Sequence, residues 1–411
     1  MNAQMTRVVV SLACAVWIGL VSSSWAAEPE KPAAKPRITL PKTGQIRFEK
    51  HLLIKNKNEA IAVADVNQDG KLDLTAGPYW FEGPDWKQHP LRDVSEPNKE
   101  FMGNNGEYLY DLNGDGYPDL ISGSWFNDKV WWYENPGKEG LAAGRKWKEG
   151  VVTTGQTANE AMLFEDLDGD GIPELIPDRW EANHPVLVVR ITPGKDGAPP
   201  RFTDFFLNKK GPNGHGMGIG DLNGDGRKDV VLSDGWYEGP AQDPWSKEWT
   251  FHKFEKSLGG HESVPMLVLD VNGDGLTDVI HGRAHDYGLL WQEQVKSEDG
   301  VIRFKQHLID DVFSQVHYLA WADLDGDGNM EIITGKRYRA HGDGDPGAHD
   351  PVCLMRYEWD PKAKKFERDV ISWDDGVSSG MQILIVDLNG DNRLDIAVAG
   401  KTGTYVLINK G

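Results

Sequence analysis

Oxygen-donor side chains recur along this chain at one fixed spacing. In DLNGDGRKDV, residues 221–230, Asp221, Asn223, Asp225 and Asp229 stand at positions 1, 3, 5 and 9 of a glycine-rich loop. Three copies precede it: Asp65, Asn67, Asp69 and Asp73; then Asp111, Asn113, Asp115 and Asp119; then Asp166, Asp168, Asp170 and Glu174. Three follow: Asp270, Asn272, Asp274 and Asp278; then Asp323, Asp325, Asp327 and Glu331; then Asp387, Asn389, Asp391 and Asp395. Hard oxygen donors at this density suit Ca²⁺, and Mg²⁺ less well, rather than Zn²⁺. An EF-hand would need a bidentate Glu at position 12, where this chain has Ala76, Ser122, Pro177, Leu232, His281, Thr334 and Val398. A metal-free Asn/Gly turn accounts for one copy, but an acid at position 9 in all seven points to a cation. Up to seven calcium ions are therefore expected. Asn392 replaces the usual glycine in the last loop, and Asn tolerates the left-handed backbone that this position needs.

A second set of reactive side chains keeps step with these loops. Six residues before each first Asp stand Glu59, Asn105, Glu160, His215, Val264, His317 and Met381. His285, Arg337 and His341 follow later in their repeats, as do Trp80, Trp125, Trp180 and Trp236. Histidines and acids gathered at one place could do acid–base chemistry or hold one transition-metal ion such as Zn²⁺. The four tryptophans could stack on sugar rings.

The elements that carry both sets are strands. Alternating runs such as AIAVAD, MGIGD and ILIVD lead into the loops, and short β-rich runs such as DVVLS and EIITG follow them. A third strand is often Trp-rich, as in VWWYENPG, and a fourth starts on an aromatic, as in RFKQHLID. Loop starts are 46, 55, 55, 49, 53 and 64 residues apart, the period of a propeller or solenoid. The last unit lacks a fourth strand, whereas residues 47–54 form a spare one before the first unit. Pairing the two closes a ring and removes an exposed edge. The expected fold is all-β: a seven-bladed β-propeller with four-stranded antiparallel blades, closed by the N-terminal strand. The acidic loops then lie on one face. The lead-in residues and the second-to-third-strand loops lie on the other.

The D-x-[DN]-x-[DN]-[GN]-x-x-[DE] repeat on a four-stranded unit resembles the FG-GAP/VCBS repeats of integrin α-subunit propellers and of exported bacterial proteins. This resemblance covers residues 45–411 and implies fold and calcium more than function. GKRYRAHGDGDPGAHDP (335–351), GRAHDYGLLW (282–291) and the stretch 213–240 also look like the propeller of aldos-2-ulose dehydratases. That likeness implies a metal-assisted carbon–oxygen lyase on a keto-sugar, with His215, His285, His317 and His341 near the reacting centre and Glu160 and Arg337 beside them. The cupin-like domain of the fungal enzymes is absent from this sequence. Three functions are thus on the table: a carbohydrate-binding face, a sugar lyase, and an adhesion propeller that engages a protein without catalysis.

Composition bounds the partners. Lys and Arg number 44 against 64 Asp and Glu, a net charge of −20 that argues against nucleic acid and anionic membranes. Residues 1–26 read as an export signal, with Arg7, an apolar core and the small residues Ser24 and Ala26 before the cleavage point. Residues 27–44 read as a disordered linker. The mature chain, expected in the periplasm or outside the cell, would keep Cys353 alone and have neither a disulfide nor a membrane span.

Overall fold

The computed structural model describes residues 46–411 except Gln156 and Ala182. The export signal and the linker expected over 1–44 lie outside the described residues. Among the described residues, twenty-eight strands form six sheets and fall into seven four-stranded groups, six of them consecutive in the chain. The first group spans Ala62–Ala64 to Lys87–Pro90, and the second Gly106–Tyr110 to Lys148–Thr154. The third runs from Ala161–Glu165 to Arg201–Phe206, the fourth from Met217–Gly220 to Thr250–Lys253. The fifth runs from Met266–Leu269 to Arg303–Ser314, the sixth from Leu319–Ala322 to Lys365–Trp373. The seventh has Gln382–Val386, Asp395–Gly400 and Gly403–Asn409, and its fourth strand is Phe48–Ile54. Phe48 pairs with Asn409 and Leu52 with Tyr405, antiparallel, as the spare strand required.

Within each group the strands are antiparallel neighbours in chain order, so each short loop joins adjacent strands. The second strands are buried along their whole length, for example Asp73–Ala76 and Asp229–Leu232. Apolar cores lie between consecutive groups. One joins Leu163, Ile176 and Val188 of the third group to Val230, Tyr237 and Trp249 of the fourth. The fourth and fifth groups fuse into one eight-stranded sheet, because Met217–Gly220 pairs in parallel with Met266–Leu269. Glycine permits this approach: a Cβ on Gly218 would lie 2.7 Å from the Met266 carbonyl oxygen, and one on Gly220 2.5 Å from that of Val268.

Every acidic loop joins the first strand of its group to the second. Asp221 accepts the backbone N–H groups of Asp225 and Gly226 at 3.0 and 2.7 Å, and the pattern recurs around Asp65 and Asp270. Asn392 has φ +65°, the left-handed conformation its position demands.

The acid at position 9 proves to have work independent of any ion. Asp73 accepts N–H groups from Val66 in its own loop and from Gly83 at the end of the third strand, at 2.9 and 2.8 Å. Asp119, Asp229, Asp278 and Asp395 make the same two bonds in their groups. In these five groups the acid joins loop to third strand whether or not an ion is bound, whereas among the described residues Glu174 and Glu331 make only the loop bond, to Leu167 and Leu324.

Candidate metal centre and the face around it

The residues six places before each acidic loop sit just ahead of the first strands, and backbone bonds tie these segments to one another. Met381 N–H donates to the Glu59 carbonyl at 2.7 Å, Glu262 N–H to His215 at 3.3 Å and Val264 N–H to His317 at 2.9 Å. Side chains far apart in sequence therefore meet at one point, Glu160 and His215 across 55 residues and Glu59 and Arg337 across 278. His285 arrives from the hairpin between Asp278–Gly282 and Tyr287–Val295, and Arg337 from the loop after Glu331–Gly335.

Glu160, His215, His285 and His317 each present one ligand atom, all within 4.8 Å of one another. Glu160 Oε2 lies 3.0 Å from His215 Nε2 and 3.9 Å from His285 Nε2, while Oε1 lies 3.6 Å from His317 Nε2. All three imidazoles turn Nε2 inward and Nδ1 outward to an acceptor. These acceptors are the Glu262 carbonyl for His215 at 2.8 Å, Asp345 for His285 at 3.2 Å and the Gln315 carbonyl for His317 at 3.2 Å. An N–H committed on the outer side turns each Nε2 toward the common centre, where His317 Nε2 accepts from Arg337. Burial opposes a charge on His215, but Glu160 outweighs it and raises His215 to about 9, so without an ion its Nε2 carries a proton. Outer partners of this kind orient metal-ligating histidines. Glu160, His215 and His317 are buried, and His285 is partly open.

Arg337 spans the same centre. Its guanidinium donates to Glu59 through Nε at 2.7 Å and Nη2 at 2.9 Å, and through Nη1 to Glu160 and to His317 Nε2. Burial pushes the Glu160 carboxyl upward, but Arg337, with His215 and His317, outweighs it and holds the group ionised well below the usual carboxylate range. Burial, reinforced by Arg337, drives His317 well below the ordinary histidine value, which keeps it neutral, with its Nε2 accepting from Arg337. Arg337 is 2 % exposed and its donors are engaged, so the structure places it as an anchor behind the centre, without access to a substrate.

His341 stands at the rim. It bonds Asp345 Oδ1 through Nδ1 at 3.0 Å and its ring lies 4.7 Å from that of His285, but it is not among the groups converging on Glu160. Of the tryptophans, Trp125 and Trp180 form a pair with centroids 5.6 Å apart, and Trp180 is 46 % exposed. Trp80 and Trp236 contradict the sugar-stacking expectation. They are buried and stacked on His89 and His252. Their second-to-third-strand turns are so tight that both already lie inside the third strands, Tyr79–Glu82 and Gly235–Glu238, facing the packing between groups.

A cleft of about 420 Å³ opens beside His285, lined by Gly259, Gly260, His261, Glu262, Arg283, Asp286 and Pro346. A larger groove lies elsewhere, between the fourth and fifth groups near Asn223, and touches none of the converging residues. Asp178 is buried close to His215 and the Gly216 N–H, and burial pushes its carboxyl up to about 7 against the pull of His215. Asp345 escaped sequence reasoning, because nothing local in GDGDPG shows that it folds back onto His285.

The acidic loops fit a divalent cation in part. Asp323, Asp325, Asp327 and Glu331 hold ligand oxygens within 4.8 Å of one another, as do Asp166, Asp168 and Glu174. In the sixth loop, however, Arg356 bonds Asp325 and lies 3.7 Å from Glu331, so a fixed positive charge already occupies that neighbourhood.

A strand-built scaffold with acidic hairpins on one face and converging histidines on the other is a β-propeller. The family model for the FG-GAP-like repeat matches residues 111–176 and 270–334, so the β-propeller carries FG-GAP-like repeats. Comparison with curated proteins found no match. Among solved structures, the Dos1 propeller is similar at 7 % identity, covering 88 % of this chain and 94 % of that one, with a TM-score of 0.46. A catalytically inactive virginiamycin B lyase from Staphylococcus aureus, with quinupristin, is similar at 13 % identity over 88 % of this chain and 99 % of that one, TM-score 0.47. A putative oxidoreductase (glucose dehydrogenase) from Thermus thermophilus is similar at 14 % over 75 % and 99 %, TM-score 0.36. Nothing about function rests on these three.

Proposed function

We propose that the histidine face holds one transition-metal ion and that the protein is an exported, metal-assisted carbon–oxygen lyase acting on a small keto-sugar. The observation that carries this reading is the shared orientation of His215, His285 and His317, with each Nδ1 bonded outward and each Nε2 aimed at Glu160. A face that only binds polysaccharide has no need of buried imidazoles with fixed tautomers. Three histidines and one carboxylate suit zinc or a neighbouring first-row ion. Such an ion supplies Lewis acidity toward a carbonyl oxygen.

The chain's own groups supply the rest. The cleft beside His285 offers His261, Glu262, Arg283 and Asp286 to the hydroxyls of a sugar. His261 is the candidate base. Burial and the neighbouring His215 and His285 lower its proton affinity, leaving it neutral and able to take the proton α to the carbonyl. Loss of the β-hydroxyl as water, with a proton from an acid at the rim, leaves an α,β-unsaturated ketone. Trp125 and Trp180 offer the aromatic surface for the sugar, and calcium on the opposite face stiffens the scaffold.

The test is to incubate the mature protein, loaded with zinc, cobalt or manganese, with a panel of keto-sugars and follow the ultraviolet absorbance of the enone. Turnover lost in His285→Ala and reduced at least tenfold in His261→Ala supports the proposal. Saturable polysaccharide binding with no turnover under any metal returns the face to a binding role.

A further inference from the structure

We propose that Asp345, on the long insertion between Glu331–Gly335 and Cys353–Asp360, is a positioning residue for two of the three histidines, an inference that rests on the metal centre proposed above. Its Oδ2 accepts the Nδ1–H of His285 at 3.2 Å and the side-chain amide of Gln315 at 3.2 Å. The Gln315 backbone carbonyl in turn accepts the Nδ1–H of His317 at 3.2 Å, and its side-chain oxygen receives Lys336 Nζ at 2.8 Å. One loop carboxylate thus fixes the tautomer of His285 directly and steadies the peptide that fixes His317. His215 is independent of the loop, since its outer acceptor is the Glu262 carbonyl.

The insertion is shaped for this task. His341, Gly342 and Asp343 are consecutive left-handed residues, with φ of 52°, 58° and 69°, a backbone that non-glycine residues adopt only where the surroundings hold them in it. Contacts to the scaffold hold it in place. Tyr287 bonds Asp350, and Gly347 lies so close that a Cβ there would be 2.3 Å from Ser314 Oγ. The third atom set around this carboxylate, Oδ1 to His341 Nδ1 at 3.0 Å, closes the loop over the open side of His285. His285, His341 and Asp345 also present ligand atoms within 4.8 Å of one another, so a second ion with Asp345 as ligand is the rival account.

Cobalt(II) titration of the mature protein, with excess calcium filling the acidic loops, separates the accounts through affinity, stoichiometry and the visible d–d spectrum. Asp345→Ala is expected to weaken uptake 10–100-fold with the stoichiometry unchanged at one ion and a shifted spectrum. Asp345→Asn keeps the side-chain volume and remains informative if alanine loosens the loop; its effect should be smaller. His349→Ala, on the same insertion but exposed, should match the parent. Parental affinity and spectrum in both Asp345 variants overturn the inference alone. Two ions in the parent and one in Asp345→Ala overturn it in favour of a ligand role. A parent that takes up no cobalt overturns the metal centre itself, and the inference with it.

Discussion

His215 and His285 meet through their Nε2 atoms, 3.1 Å apart, with Glu160 Oε2 within 3.0 Å of the first. A proton on His215, held there by Glu160 against burial, bridges the two nitrogens when no ion is present, and a metal ion would displace it. On the metal centre proposed above, the protein should take up one zinc or cobalt ion per chain in the presence of excess calcium. His215→Ala, His285→Ala and Glu160→Gln should each weaken it at least tenfold, measured by chelator competition. Undiminished uptake in all three would remove the metal centre.

The acidic loops should bind calcium unequally. At a hundredfold excess over Kd a filled site adds about 2.7 kcal/mol of stability, so a chelator should lower the melting temperature clearly. The sixth loop should contribute least, because Arg356 already compensates Asp325 and Glu331. Arg356→Met should raise the calcium count by one per chain in isothermal titration and enlarge the chelator effect. A count unaltered by that substitution would separate Arg356 from cation binding.

His281 gives the fold an acid-sensitive element. It is fully buried in Asp278–Gly282, with Gln292 as its bonding partner, and burial lowers it from an ordinary 6.5 to about 4, assisted by Arg283. A base with a depressed folded value takes its proton first in the unfolded chain. Its contribution is therefore intact above pH 6.5 and is lost as pH falls from there toward 4. By pH 5 the loss amounts to about 2 kcal/mol. Denaturant unfolding at pH 7 and pH 5 should show this difference shrinking by that amount in His281→Leu.

The tryptophans should divide by position. Trp80→Ala and Trp236→Ala leave cavities between strands and should each cost about 3–5 kcal/mol in denaturant unfolding. Trp180→Ala should change stability by under about 0.5 kcal/mol yet weaken sugar binding by calorimetry. A Trp180 variant that binds sugars as the parent does would take the aromatic pair out of the recognition surface.

The scaffold was readable because its signals are local: a nine-residue loop flanked by alternating strands needs no distant partner to declare itself. The meeting of Glu160, His215 and His317 was readable for a related reason. A constant offset of six residues from a repeated loop places each lead-in at the same level of the scaffold. Distances that depend on turn length are not legible in sequence, and tight turns place Trp80 and Trp236 in buried third strands. Position 9 carries a second role that the loop sequence does not show: in five groups its acid accepts a backbone N–H at the far end of the third strand. Asp345 was hidden because its partner lies 60 residues earlier, in a different hairpin.

The pairing of Phe48–Ile54 with Gly403–Asn409 makes the order of synthesis matter. Phe48–Ile54 has no partner until Gly403–Asn409 has been synthesised, and the Arg47 guanidinium bonds the Gly411 carbonyl across 364 positions of sequence. A nascent chain therefore carries an unsatisfied strand edge until that point, and closure clasps two segments far apart in synthesis. A stop codon before Gly403 should yield a sticky, incomplete product.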